Sequence, residues 1–540
     1  MRVEYLLIGA GQAGLVLKRF LESKRAVLLD PNPGAYKIGE SVVPEQFAHP
    51  LMQALVPKVL ALPSYSPKYG TTFISRDSVA SFPLPACEAE LSMHVARSEL
   101  ESLMASEWAV DIARERVLEI DLSRKIVRTD KQIYEVEKQI IDCSGPAMVV
   151  ATALGEVSDL WPVYASWSYF DILSNCDEKF WNALSASGKQ YLRYDAPRRS
   201  VLSAQKEIEG WSPSRTTILS RLDQGIWTWQ IPLFNSKVLS VGAVSRHRPI
   251  AKEELIHIAL NECAANYQLA PRADDNSSPY NRIYSREGFA RRARRAATLE
   301  YILLADAFAF ADPVYSVGTA LAVNKAIELA AILNGEGFGE QRCAQWCEAA
   351  DALLARAVKA FDFWYSGEVL SDDAAAAEVR DNFLIGSAFQ VRAAYAYGAM
   401  INDASLGNQS ARKEIREQSH KMEEQEALRR LSASLLGVNE ELALQGWKLL
   451  DVNARAHTFL FQWEMEGMPA LTVEAVFGNG AAKAYKQAGS IALSYRRLKD
   501  GPYPFNAKVG ALLDAMAERM GRLEHEWLAL HKRREMNSMQ

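Results

Sequence analysis

Charge of one sign is in short supply in this chain. Its 540 residues carry 61 Lys plus Arg against 66 Asp plus Glu, a formal charge of -5. No global field therefore draws it to nucleic acid or to an anionic membrane, and partners have to be argued from local sites. Cysteine is scarce too: Cys87, Cys143, Cys176, Cys263, Cys343 and Cys347 lack the spacing of a disulfide framework, and Cys343 and Cys347 lack companion ligands at zinc-site spacing. That usage fits a reducing, cytoplasmic setting, and no metal site is expected. No run reaches the roughly 20 apolar residues of a membrane span. The opening MRVEYLLIGAG has neither a cationic leader nor a cleavage site, so no export signal is expected. There is no repeat or low-complexity tract. What remains is 49% apolar, 9% aromatic and 24% charged residues, with 30 Gly and 21 Pro, which excludes a disordered, fibrous or coiled-coil chain. The length allows about three or four domains, or two if one is large.

Residues 4 to 8, EYLLI, read as a buried strand running straight into GAGQAG; LVLKRFLES then has helical spacing and RAVLLD reads as a second strand. Gly9, Gly11 and Gly14 suit a tight turn, close approach of backbone to a pyrophosphate and close helix packing, while the helix N-terminus offers unpaired N–H groups to phosphates. Asp30 closes the second strand and can accept from a ribose hydroxyl. It follows Gly14 sooner than the roughly 20 residues usual, which points to a compact helix. An ordinary glycine turn is the alternative; the strand before and the helix and strand after favour dinucleotide binding. The motif alone does not separate FAD from NAD.

KQIIDCSG, ending at Gly145, and YILLADAFAFADPVYSVGTALAVNKAIELAAIL, from Tyr301, are further strand-loop and strand-loop-helix passages that return to the nucleotide sheet. Between them, QGIWTWQIPLF and KVLSVGAVS read as antiparallel sheet. The expected class is α/β plus antiparallel β. A Rossmann-like nucleotide-binding domain spans residues 1–154 and 286–350, with a mainly antiparallel substrate domain interleaved at 155–285. Alanine- and leucine-rich segments predict a helical C-terminal region over 351–540, in which Ala411 to Leu436 is charged enough for an exposed helix and lacks sustained heptads. Arg291, Arg292, Arg294 and Arg295 stand out against the acidic average, either as a solvated face or as a contact for an acidic carrier or reductase.

Taken together, GAGQAG, KIGESVVP (37–44), PKYGTTF (67–73), HVARSEL (94–100), DCSG (142–145), WTWQIP (227–232) and ADAFAFADPVYSVGTAL (305–321) resemble the flavin-dependent halogenase family, a branch of the group A flavin monooxygenase-like fold, over about residues 1 to 370. WTWQIP agrees with the family's WxWxIP signature. Trp227 and Trp229, two positions apart, would share one side of a strand beside a flavin or reagent channel, and Pro232 would end that strand. Core packing by stacked aromatics is the plain alternative. The resemblance makes the first domain an FAD-binding one, with Gly39, Glu40 and Ser41 as a flavin turn and Arg97 at cofactor phosphate or flavin, unless Arg97 pairs on the surface with Glu99 or Glu101. Asp306 resembles the ribose-contacting aspartate, and Pro313 to Gly318 lie near the isoalloxazine. Ser316 and Thr319, in the turn before an apolar helix, would help to aim backbone N–H groups at flavin oxygens or a halide. Ala305 stands where the family has glycine. Lys68 best matches the catalytic lysine; an ammonium donates hydrogen bonds and a neutral amine can accept a halogen. Trp161, Tyr164, Trp167, Tyr169 and Phe170 form either a substrate wall, with Trp167 and Phe170 as its candidates, or core.

The chemistry implied is that of a flavoprotein oxidoreductase. Reduced FAD reacts with oxygen, chloride or bromide captures the distal oxygen of a flavin hydroperoxide, and Lys68 holds the hypohalous species beside an electron-rich aromatic substrate, free or linked to a carrier or protein. No second GxGxxG unit is present for a nicotinamide, so a separate flavin reductase is expected. The main alternative is a flavin monooxygenase hydroxylating an aromatic small molecule or protein side chain, with Lys68 ordering a loop or a substrate carboxylate. A catalytically silent maturation factor whose helical tail selects a client is a third.

Overall fold

The computed structural model describes residues 1–365 apart from 48, 75–77, 84–91, 175, 194–211, 222–224, 264–265, 315, 317 and 336. The helical segments expected beyond residue 365 lie outside the described residues. Those from Met1 to Tyr191 and from Ser212 to Tyr365 form one compact unit, so the nucleotide and substrate regions are two sheets of one body.

The chain opens with β1 (Arg2–Ile8), α1 (Gln12–Phe20) and β2 (Ala26–Leu29). An antiparallel pair follows, β3 (Gly70–Ile74) and β4 (Ser78–Pro83), then helix α2 (Arg97–Glu107). Next come β5 (Val117–Asp121), β6 (Ile126–Thr129), β7 (Ile133–Asp142) and β8 (Tyr164–Ile172). The last strands needed here are β9 (Thr217–Arg221), β10 (Ile226–Leu233), β11 (Val238–Ser245) and β12 (Tyr301–Leu303), ahead of helices α3 (Gly318–Asn334) and α4 (Glu340–Tyr365).

The first sheet has the order β2–β1–β7–β6–β5, with β12 also on β7. Its central pairs are parallel, and Ile8 lies opposite Leu29 and Asp142 while Asp142 lies opposite Leu303. Four strands therefore end level, and the loops after them meet at one carboxyl edge, where open α/β sheets bind ligands. Helix α1 is short, 9 residues, and buries Leu15, Val16 and Leu17, as the close spacing of Gly14 and Asp30 predicts.

The second sheet runs β4–β3–β9–β10–β11–β8. All its pairs in this order from β9 to β8 are antiparallel, whereas β3 lies parallel to β9. The first 154 residues thus do not belong wholly to the nucleotide sheet: 70–74 and 78–83 pair into the second one. Their partner at 217–221 is remote in sequence, so local patterning carries no trace of that pairing. Helix α4 likewise runs through residue 350, the expected boundary.

Every residue of β10 and β11 is buried, because both faces of this sheet are covered. One face carries Trp167, Tyr169, Trp227, Trp229 and Ile231. The other carries Phe170, Ile218, Leu239 and Val241, packed with Phe180, Leu255 and Tyr267. Phe170 is therefore core and no part of a substrate wall, since strand alternation turns it away from Trp167. Pro232 also departs from expectation. The strand continues through it to Leu233; the ladder with β9 ends at Ile218 opposite Gln230, so the missing N–H of Pro232 falls beyond that neighbour.

The arginine cluster is divided by its own short strand. Arg291 donates to the Pro146 carbonyl at 2.9 Å and Arg292 pairs with Asp351 at 2.9 Å, whereas Arg294 and Arg295 are exposed. Among the described residues no helix is long and apolar enough to cross a membrane.

Gly242 faces Trp167 on one side and Trp229 on the other, and the Trp229 indole lies across it: a Cβ on Gly242 would stand 2.0 Å from Trp229 Cζ2. Gly242→Ala should displace that ring and destabilise the protein by roughly 1–3 kcal/mol. Denaturant unfolding reads the loss, and near-ultraviolet circular dichroism reads the displaced indole.

Candidate active site

A cavity of about 870 Å³ opens at the carboxyl edge of the first sheet and extends along the aromatic face of the second, within the range of about 300–1,000 Å³ that encloses small molecules and cofactors. At one end are Gly9, Gly11 and Asp30, and at the other Trp167, Trp227 and Trp229.

The glycine turn is shaped by contact. Gly9 has φ +103°, and a Cβ there would lie 2.6 Å from Ser144 Cα; a Cβ on Gly14 would lie 2.0 Å from the Gly9 carbonyl oxygen. Gly14 thus serves packing and does not line the cavity, whereas Gly9 and Gly11 do. No side chain caps α1 at Gly11, so the N–H groups of its first turn keep their capacity for an anion. Asp30 accepts from the N–H of Ala10 and of Asn32, both at 2.8 Å. It braces the turn while still facing the cavity.

Beside this turn sits a buried ion cluster. Glu101, with 1% of its side chain exposed, accepts from Arg97 Nε at 2.8 Å and from Lys37 Nζ at 2.7 Å. The pairing of Arg97 with Glu101 is therefore internal, while Glu99 instead accepts from the Ser64 N–H and hydroxyl. Glu101 is a site residue that sequence reasoning missed as such; its signal was the i,i+4 spacing from Arg97 on a helix. The positive charge of Arg97 also reaches Asp306, whose carboxyl burial lifts to about 6. A Cβ on Gly318 would be 3.8 Å from that carboxylate, so the two ends of the 305–321 segment meet in space. Ala305, before it, takes φ +50°, the left-handed region in which an L side chain is strained by roughly 1–2 kcal/mol; this accounts for the glycine of the related motif. Pro313, Ser316 and Thr319 line the same stretch of wall. The Thr319 hydroxyl, in the first turn of α3, is buried without a hydrogen-bond partner among the described residues.

Two hydrogen-bonded chains run from the 37–44 segment into the second sheet. In the first, Lys68 Nζ donates to Ser41 Oγ at 2.8 Å, Ser41 Oγ lies 3.0 Å from Thr217 Oγ1, and His94 Nε2 lies 2.9 Å from that same Thr217 oxygen. Burial and the charge of Lys68 hold His94 well below its usual range, so it is neutral. Ser41 and Thr217 line the cavity; Lys68, 3% exposed, stands one hydrogen bond behind them. In the second chain, Trp167 Nε1 donates to Tyr36 Oη at 2.8 Å, Tyr36 and Tyr169 share a 2.7 Å hydrogen bond, and Tyr169 donates to Glu40 Oε1 at 2.5 Å. Burial raises the Glu40 carboxyl to about 7, against the hydrogen bonds of Tyr169 and Ser240. Trp227 and Trp229 stand side by side with ring centroids 6.0 Å apart.

The wall fits a dinucleotide flavin: an uncapped helix start beside Gly9 and Gly11 for the diphosphate, two cations next to it, the orphaned Thr319 hydroxyl, and an aromatic compartment beyond. No group of three His, Cys, Asp or Glu side chains among the described residues could hold a metal ion.

No protein-family model matches the chain, and no curated protein matches its sequence. Solved structures match its fold. A flavoprotein/dehydrogenase from Cytophaga hutchinsonii aligns at 18% identity over 75% of this chain and 93% of its own, with a TM-score of 0.50. The myxobacterial chondrochloren halogenase CndH, described as an FAD-dependent halogenase, aligns at 18% identity over 74% of this chain and 97% of its own, with a TM-score of 0.50. Halogenase PltM, in a mercury-bound structure, aligns at 16% identity over 97% and 96%, with a TM-score of 0.51. At these identities the likeness is one of fold: the chain has the mixed α/β fold that these flavoproteins share.

Arg97→Ala should cost roughly 3 kcal/mol by stranding buried Glu101 with a single cation, and the deficit should depend on pH. The Asp306 carboxyl is already raised to about 6, so its ionisation in the folded state costs stability as pH climbs through that value. Losing Arg97 raises it further, so the deficit should be larger at pH 8 than at pH 5. Chemical denaturation at the two pH values measures this.

Proposed function

We propose that the protein is an FAD-dependent enzyme that halogenates an electron-rich aromatic substrate. The observation carrying this reading is that one cavity is lined by the glycine turn, by Asp306 and Gly318, and by the paired indoles of Trp227 and Trp229, with Lys68 hydrogen-bonded to its wall residue Ser41.

Gly9, Gly11 and the first turn of α1 would hold the diphosphate of FAD, Asp30 and Asp306 its hydroxyls, and Lys37 and Arg97 the adjoining negative charge. Reduced FAD supplies the activation of oxygen, and a chloride or bromide ion is the halogen source. Without a second nucleotide motif in the sequence, a separate flavin reductase is the source of the reduced cofactor. Lys68 keeps the Ser41 oxygen occupied as an acceptor. The bond between Ser41 and Thr217 uses one of their two hydroxyl protons; with His94 Nε2 donating to Thr217, the other is left to hydrogen-bond an oxidised halogen at the cavity wall, with the ammonium behind it. Trp227, Trp229 and Trp167 exclude water and stack a flat ring, so that the electrophile meets one ring carbon. The substrate, free or linked to a carrier or protein, enters this aromatic compartment.

One observation favours hydroxylation of such a ring instead. Lys68 lies behind Ser41 and does not itself line the cavity, which is the place of a residue that orders the 39–41 turn.

Full-length protein incubated with FAD, a flavin reductase, oxygen, bromide and a pool of free and carrier-linked aromatics should yield products with a bromine isotope pair in high-resolution mass spectra. Lys68→Ala should lower that yield by roughly a hundredfold or more while retaining FAD binding, read by flavin fluorescence. A product shifted by oxygen, indifferent to bromide, would transfer the assignment to a monooxygenase.

A further inference from the structure

Substitution on an aromatic ring releases a proton, and the groups named so far provide no obvious taker for it. Lys68 as an ammonium can only donate. His94 is bonded to Thr217, is fully buried and is not among the residues lining the cavity. Among the carboxylates lining the cavity, Asp30 is committed to the glycine turn, Asp306 lies against Arg97, Glu115 accepts from Thr129, Gln132 and Tyr134, and Asp312 accepts from the Val314 N–H at 3.0 Å within its own turn. Glu40 differs in position and in connection. It is 2% exposed, it belongs to the cavity wall, and its hydrogen-bonded chain leads through the aromatic face of the second sheet.

The direction of that chain is fixed by its ends. The indole N–H of Trp167 has no acceptor capacity, so Tyr36 accepts from it. The Tyr169 proton is used on Glu40 Oε1, so the proton in the 2.7 Å bond between the phenols belongs to Tyr36. Each hydroxyl accepts from the cavity side and donates toward Glu40. Tyr36 and Trp167 line the cavity, and the Tyr284 ring stacks against both, at 4.8 and 5.2 Å between centroids, which fixes the planes in which their hydrogen-bonding atoms lie. The Ser240 hydroxyl, on the same face of the second sheet, is the other donor that reaches this carboxylate.

We propose that Glu40 is the proton acceptor of this cavity, reached from its lumen through the hydroxyls of Tyr36 and Tyr169. This rests on the cavity being the place where an aromatic ring is substituted. The substrate proton, from the ring carbon or from a ring hydroxyl or N–H, bonds to the Tyr36 oxygen as the Tyr36 proton passes to Tyr169 and the Tyr169 proton to Glu40 Oε1. The electron pair of the broken bond stays with the substrate, both phenols end as they began, and Glu40 ends neutral. The groups facing Glu40 are Tyr169 from β8, Ser240 from β11, Tyr36 from the preceding loop and Tyr280 from the turn at 279–281, beyond which Glu99 acts on Tyr280. Burial among phenols and one hydroxyl places the carboxyl near neutrality, where it can both take up and return a proton.

Infrared titration of the full-length protein, with and without oxidised FAD, tests this without turnover. A protonated-carboxyl band with a midpoint near pH 7 should vanish in Glu40→Gln and persist, at a changed frequency, in Glu40→Asp. Its midpoint should rise by about one pH unit in Tyr169→Phe, because the lost hydrogen bond favours the carboxylate. In bromide turnover with phenol and indole as probes, kcat should climb with pH through the same midpoint. Glu40→Gln should abolish that limb and lower kcat roughly tenfold or more at unchanged KM; Tyr36→Phe should lower kcat while the band remains. No Glu40-dependent band near neutrality, a midpoint indifferent to Tyr169→Phe, or an unaltered limb in Glu40→Gln would overturn the assignment. Oxygenated products in place of brominated ones would overturn the halogenase reading and leave the infrared result to decide on Glu40.

Discussion

Glu101 holds together the part of the cavity wall formed by Lys37 and Arg97. Its carboxylate is almost wholly withdrawn from water and takes one hydrogen bond from each of two cations, Arg97 on its own helix and Lys37 from the loop before the 39–41 turn. Such an arrangement gains little over an apolar one, but removing a partner strands a charge and is expensive. The consequence is positional. Lys37 ties the 36–41 loop to α2, and the Glu40 carbonyl accepts from the Val95 N–H at 2.9 Å, just ahead of that helix. Tyr36, Glu40 and Ser41 are thereby presented to the second sheet from fixed positions, and the charge of Arg97 remains close to Asp306.

The second sheet then divides the work by parity. Alternate residues on β8, β10 and β11 turn Phe170, Leu239, Val241 and Ala243 to one face, together with Ser166, Thr228 and Gln230, and turn Trp167, Tyr169, Trp227, Trp229 and Ser240 to the other. Gly242 permits the second arrangement, because only a residue without Cβ leaves room for the Trp229 indole to lie flat between its neighbours. Polar groups buried in this face are linked in chains and not scattered singly, which is how a low-dielectric wall tolerates them.

A fold shared with a flavoprotein/dehydrogenase and with FAD-dependent halogenases fixes the scaffold and leaves the chemistry to the side chains at the cavity. Halogenation and hydroxylation would use the same cofactor cradle and the same aromatic compartment. The difference between them rests on whether the ammonium of Lys68, acting at or through Ser41, meets an oxidised halogen or merely stiffens a turn, and that is a matter of one hydrogen bond's depth in the wall.

Features that depend on near neighbours in sequence were legible from the residues alone. The strand, glycine turn and compact helix at 2–20 follow from apolar runs, φ-permissive glycines and helical spacing. The common face of Trp227 and Trp229 follows from a period of two, and the acid at Asp306 follows from its place after a strand. The same period could have separated Trp167 from Phe170, but it does not say which parity faces the cavity; that was settled by what packs on each side. Lys68 behind Ser41, Glu101 between two cations, strand 70–74 beside 217–221 and the path from Trp167 to Glu40 depend on contacts between segments far apart in the chain. Sequence sets each segment's own periodicity and donors, while the partner that buries or charges them is chosen only when the sheets pair and pack.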